Sequence, residues 1–164
     1  MRRAIGVKIL TPMKTSRAII IAVGILAPLQ FAMFASTASA AGCPHTPAAS
    51  SAERKAILNA LRKPIARELG QAVRFRIETL SVCRGWAFVE ATPQKPNGKP
   101  IDWSLSSYED AVANDACGLL VHGLLAKNKG QWKVRQTVVC ATDVPYVTWS
   151  KEFGAPVQIF PYQE

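Results

Sequence analysis

The sequence predicts an α+β domain: an N-terminal amphipathic helix packed on a curved antiparallel sheet of about four strands, with a short C-terminal helix. Three observations predict it. Apolar residues recur every fourth position from Ile57 to Leu69, two pairs of alternating runs follow, and turn-forming residues separate the pairs.

The chain opens on a segment outside that fold. Arg2, Arg3, Lys8, Lys14 and Arg17 precede an apolar run from Ala18 to Phe34, and small residues follow to Ala38-Ser39-Ala40. A basic start, an apolar centre and an Ala-x-Ala end make a signal peptide cleaved after Ala40. The competing reading, a membrane anchor, has a run of about 17 residues, at the lower limit for spanning, and Gly24 and Pro28 interrupt it. A lipoprotein cleavage would anchor the chain through a lipid on Cys43; there the position three before the cysteine is normally a larger aliphatic, and here it is Ala40. The expected organisation is a leader over 1–40, a tail over 41–50 and one domain over 51–164, periplasmic or secreted. Of 20 basic and 11 acidic residues, the leader holds five and none, so the mature part carries +4 rather than +9. With no basic run, that charge argues against a nucleic-acid partner.

Ser50-x-x-Glu53 reads as a capping box before Ile57, Leu61, Ile65 and Leu69, and Gly70 supplies the stop. Pro64 should bend that helix in its second half. From Val73 to Val82 the alternation slips phase between Ile77 and Leu80, which predicts a bulge near Glu78-Thr79. Gly85 to Ala91 is a second strand, and the Pro93–Pro100 loop carries the chain onward. Ser107 to Asp115 reads as a short helix capped by Ser107. Asp143, Pro145 and Gly154 delimit a terminal helix that sets Tyr146, Trp149 and Phe153 on one face, and Trp132, Trp149 and Phe153 read as core.

All four cysteines, Cys43, Cys83, Cys117 and Cys140, lie in the mature part, an even number that points to disulfides in an exported chain. No Cys-x-x-Cys pair or neighbouring histidine offers metal spacing, and no cofactor motif is present. Gly118 to Val139 reads as a hairpin around Lys127-Asn128-Lys129-Gly130. With Lys127 opposite Gly130, Trp132 faces Leu125, His122 faces Arg135 and Cys117 faces Cys140. Directly opposed residues lie about 4.5 to 5.5 Å apart, within disulfide reach. Cys43 and Cys83 then pair by elimination.

The pieces "GWAFVEATPQ", "PIDW", "GQWKV", "ATDVPYVTW" and "FGAP" together resemble a family of small exported bacterial proteins of unassigned function. The order of elements is similar to the cystatin-like or nuclear-transport-factor-like cone. Such cones host enzymes, binders and inert partners alike.

His122 is the histidine in regular structure, a candidate general base with Asp102 or Glu109 as its carboxylate. Its competing reading is a half-exposed sheet residue, and no Gly-x-Ser-x-Gly or Ser-x-x-Lys motif places a nucleophile. Asp102, Trp103, Tyr108 and Arg135 are the ligand-binding candidates, aromatics for stacking and charges for bonding; against that, Asp102 suits a turn cap and Trp103 a core edge. The expected function is a non-catalytic exported cell-envelope domain binding a protein or a small ligand. The alternatives are an inhibitor of a secreted or host hydrolase and a small enzyme using His122 with a carboxylate.

Overall fold

The computed structural model describes residues 42–162, so the expected leader lies outside the described residues. The element order is α1 (Ala52–Glu68), β1 (Arg74–Cys83), β2 (Trp86–Gln94), α2 (Glu109–Ala113), β3 (Val121–Asn128), β4 (Gln131–Val139) and α3 (Trp149–Phe153). The four strands form one open antiparallel sheet in chain order. The described residues fall within one compact unit. No described helix is long and apolar enough to cross a membrane.

The apolar stripe of α1 is buried as its spacing dictates: Ile57, Leu61, Ile65 and Leu69 have no exposed surface. The cap is Ser51 rather than Ser50, its hydroxyl accepting from the Arg54 N–H at 3.1 Å. The helix runs unbroken through Pro64, whose ring nitrogen has no hydrogen to donate to the preceding turn. Gly70, at φ +65°, lets the chain leave α1 beneath the Leu105 carbonyl, where a Cβ would come within 2.4 Å of the oxygen.

The phase slip in β1 is a bulge: Ile77 faces Ala91 and Thr79 faces Glu90, leaving Glu78 without an opposite residue. Arg84 and Gly85, both at positive φ, turn β1 into β2 in two residues. The segment before α1 is more than a tail, because Cys43 is bridged to Cys83 and His45 exchanges backbone bonds of 2.9 and 2.8 Å with Val82. That bridge covers the end of the outer edge of β1.

The β3–β4 register differs from the expected one. Lys129 and Gly130 adopt positive φ and make a two-residue turn, so Asn128 faces Gln131 and Lys127 faces Trp132. A second bulge leaves Arg135 unpaired, and beyond it His122 faces Val138 rather than Arg135. Cys117 and Cys140 are disulfide-bonded, as expected, but outside the ladder: one precedes β3 and the other follows β4, with Cα atoms 4.9 Å apart. Two helical elements are shorter than their sequence signals. Ser107 does not cap α2; the Ser106 hydroxyl instead accepts from the Tyr108 N–H. Asp143 does not cap α3, because its carboxylate accepts from the adjacent Val144 N–H at 2.7 Å and a turn intervenes before Trp149. Gly154, at φ +72°, ends α3 as expected.

Alternation divides the sheet between two cores. On one face Ala87, Val89, Val121, Leu125 and Trp132 pack under α1. On the other, Phe88 and Leu124 meet Tyr146, Trp149, Ile159 and Phe160. Trp132 and Trp149 therefore belong to opposite layers, not to one group. Phe88 is the hub of the second layer, with ring centroids 4.7 Å from Tyr146 and 5.4 Å from Phe160, edge to face.

α1 comes close to the sheet at Gly123, where an added Cβ would lie 2.7 Å from the Leu61 Cδ1. Gly123→Ala should therefore overpack this contact and destabilise the domain by about 1–3 kcal/mol. Urea unfolding of the disulfide-intact domain checks it: the midpoint falls in Gly123→Ala, and an unchanged midpoint would show that α1 does not sit this close.

Candidate functional site

On the face away from α1, the ladder places Glu90 directly opposite His122. The Glu90 Oε1 lies 3.2 Å from the His122 Nε2, and its Oε2 accepts from the Thr79 hydroxyl at 3.1 Å. Thr79 is itself opposite Glu90 on the other side, because the β1 bulge shifts it there. Three adjacent strands thus contribute one residue each to a hydrogen-bonded row. His122 is only 5 % exposed, and the Phe88 and Tyr146 rings lie 6.4 and 5.7 Å from its own, centroid to centroid. Its second ring nitrogen, Nδ1, is buried without a hydrogen-bond partner.

Beside this row is a cavity of about 330 Å³ whose walls include Glu90, Leu120, His122, Thr142, Asp143 and Tyr146. One wall is the entry to β3 and the other is the chain leaving β4. The Cys117–Cys140 bridge joins these segments, and the Gly118 N–H donates to the Ala141 carbonyl at 2.8 Å beside it. Cys140 stands at φ +60°, a conformation costly for a residue with a side chain, and it redirects the chain from β4 towards Thr142 and Asp143.

Burial holds the His122 imidazole below its usual protonation range, and the neighbouring Glu90 carboxylate opposes that shift without cancelling it. A neutral ring that donates Nε2–H to Glu90 carries its lone pair on Nδ1. The Tyr146 phenol is pushed up, first by burial and then by Glu90, so it stays protonated. The site therefore combines an acceptor nitrogen, two carboxylates and an aromatic ring. Among the described residues, no group of three or more His, Cys, Asp or Glu could hold a metal ion.

Of the candidate catalytic and ligand-binding residues that the sequence offered, only His122 lines this cavity. Asp102 caps the 3₁₀ turn Trp103–Leu105, accepting from the Ser104 hydroxyl at 2.7 Å and its N–H at 3.2 Å. The Ser104 side-chain bond, then the backbone one, lowers the Asp102 carboxyl below its ordinary value. Trp103 and Tyr108 pack half-buried against the α1 core. The Tyr108 hydroxyl donates to Glu68, and burial followed by that contact pushes the phenol up to about 12. Glu109 is exposed at the start of α2. Arg135 is exposed on its bulge and borders a separate cleft with Trp86 and Phe153. The structure brings neither Asp102 nor Glu109 to His122.

Sequence reasoning passed over Glu90, the partner that matters. Its signal was present: in "GWAFVEA" the alternation that buries Phe88 puts Glu90 on the same face, a carboxylate where an apolar residue belongs. Thr79 needed the bulge, and Asp143 was assigned to a helix cap. No protein-family model, curated protein or solved structure matches the chain.

These environments set a titration. The His122 resonance should titrate with a midpoint below 6.5, and Glu90→Gln should lower it further by removing the attraction that favours the charged ring. Between 6.5 and the folded midpoint the unfolded chain binds the extra proton first, so His122 costs stability as pH falls through that window and no more below it. Residue-resolved NMR separates His122 from His45; a midpoint at or above 6.5 contradicts the burial argument.

Proposed function

We propose that this chain is a non-catalytic exported domain of the cell envelope, periplasmic or secreted, that binds a small ligand in the cavity beside His122. One observation carries the reading: the walls of a cavity of about 330 Å³ bring together the His122 imidazole, the Glu90 and Asp143 carboxylates and the Tyr146 ring. The cavity is at the small end of ligand sites, which run from about 300 Å³ upward. Two disulfides fit an oxidising compartment, and the leader-like first 40 residues support export. Membership of the exported family and the cystatin-like cone belong to the same proposal; a helix laid on one face of a bulged, open sheet supports the latter.

The alternatives keep specific support. A carboxylate–imidazole pair is the geometry of a general base, which favours the enzyme reading through Glu90 in place of Asp102 or Glu109. The expected Pro93–Pro100 loop begins only after Gln94, because Pro93 and Gln94 belong to β2; from Lys95 it is internally bonded, Lys95 to Lys99 and Gly98 to Lys95 at 2.8 Å each, with Pro96 and Asn97 exposed at its tip, which favours the inhibitor. Fragment screening of the disulfide-intact domain by NMR separates the three. Ligand binding predicts shifts confined to Glu90, Leu120, His122, Thr142, Asp143 and Tyr146, with fragments recovered unchanged. Conversion of a fragment would replace this reading with the enzyme. Stoichiometric inhibition of a hydrolase, abolished by changes at Pro96 and Asn97, would replace it with the inhibitor.

A further inference from the structure

A second cleft, of about 560 Å³, lies at the turn end of β2, β3 and β4. Strand register sets its floor. Trp86 on β2, Ala126 on β3 and Lys133 on β4 stand opposite one another in one cross-strand row, and directly opposed residues point to the same side of a sheet. That side is the aromatic layer, against which Trp86 and Phe153 both pack half-buried. The Trp86 and Lys133 side chains therefore rise from strands about 10 Å apart, two strand spacings, with only the Ala126 methyl between them. The β4 bulge adds Arg135 to the lining, and Phe153 lines the cleft from α3.

No Asp or Glu lines this cleft. Lys133 and Arg135 are exposed, and among the described residues neither side chain has a hydrogen bond or an ion pair. Lys127 borders the cleft too, but its Nζ lies 3.8 Å from Glu53 and over the Trp132 ring, on the α1 face. Two unpaired cations beside two aromatic rings select among ligands. A cation would be repelled. A neutral aromatic molecule would stack on the rings and leave the cations in water, while an aliphatic acid would meet the cations without stacking. A flat ring bearing a carboxylate uses both, its face against the indole above Ala126 and its acid group towards Lys133 and the Arg135 fork. We propose that this cleft binds small aromatic carboxylates. It shares no lining residue with the cavity beside His122, so it holds or fails independently of that site.

The test titrates benzoate into the ¹⁵N-labelled, disulfide-intact domain at pH 7.5, against benzyl alcohol, cyclohexanecarboxylate and acetate. Shifts are expected at the Trp86 indole N–H, Ala126 and Phe153, with His122 and Tyr146 unmoved. Benzoate should bind about fivefold tighter than benzyl alcohol, since exposed charge pairs contribute little each, and that advantage should shrink in about 1 M salt. It should bind about threefold tighter than cyclohexanecarboxylate, towards the low end of what a stacked ring adds. Lys133→Gln and Arg135→Gln, at exposed positions where folding is not at stake, should each weaken benzoate about twofold and leave benzyl alcohol unchanged. Ala126→Leu, which fills the floor, should abolish the shifts of both aromatic probes. Equal binding of benzyl alcohol overturns the anionic part, and equal binding of cyclohexanecarboxylate overturns the aromatic part. Acetate matching benzoate would reduce the cleft to a diffuse cationic surface and overturn the proposal. Shifts confined to the His122 cavity, or no shift at all, overturn it as well.

Discussion

The contact between Glu90 and His122 orders the rest of this structure. Both lie on strands with a neighbour on each side; His122 is buried, while Glu90 keeps part of its side chain exposed at the cavity wall. A carboxylate so far withdrawn from water is stabilised by paired donors. The ladder provides its partner by setting His122 opposite, and the β1 bulge provides a second by shifting Thr79 alongside. The imidazole spends one nitrogen on Glu90 and leaves the other without a bond. The same interaction that pairs the partly buried carboxylate thus fixes the ring with its second nitrogen buried and without a partner.

The disulfides act at the two places where the sheet could not hold itself. Cys43–Cys83 fixes a short segment against the outer edge of β1, where His45 adds a bridge and its imidazole lies 3.3 Å from Glu53 at the start of α1. Cys117–Cys140 joins the chain entering β3 to the chain leaving β4, beyond the last ladder pair, Val121 with Val139. Without it, the walls that carry Leu120, Thr142 and Asp143 would be tied chiefly by the Gly118–Ala141 backbone bond. Cavity and staple are therefore one feature, and the aromatic layer around Phe88 forms its floor through Tyr146.

What the sequence made legible follows from periodicity. The stripe of α1 has the helical repeat and is wholly buried; the β1 phase slip is a residue without a partner, and it is one. The cysteine pairing was reached through a register that the molecule does not use. A two-residue turn at Lys129-Gly130 moves the pairing by two positions, and the Arg135 bulge moves it by one more. The bridge survives because it closes outside the ladder, where strand register no longer constrains it. Sequence alone could not show that turn, since Asn128-Lys129 and Lys129-Gly130 both permit positive φ. The site was half legible: His122 stood out by type, but its partner is set by which residues face each other across β2 and β3. Asp102 and Glu109, the carboxylates the sequence offered as partners of His122, are placed elsewhere, the first on a turn and the second in solvent.

If the buried pair is the organising contact, its members must act together energetically. A double-mutant cycle on Glu90→Leu and His122→Phe, read by urea unfolding at pH 7.5 with both disulfides intact, isolates that term. The account predicts a coupling above about 1 kcal/mol, larger than exposed pairs give, because each single change leaves the other side chain without its partner. Single effects that add to within about 0.5 kcal/mol would mean the two side chains are energetically independent, and the central contact would not be there.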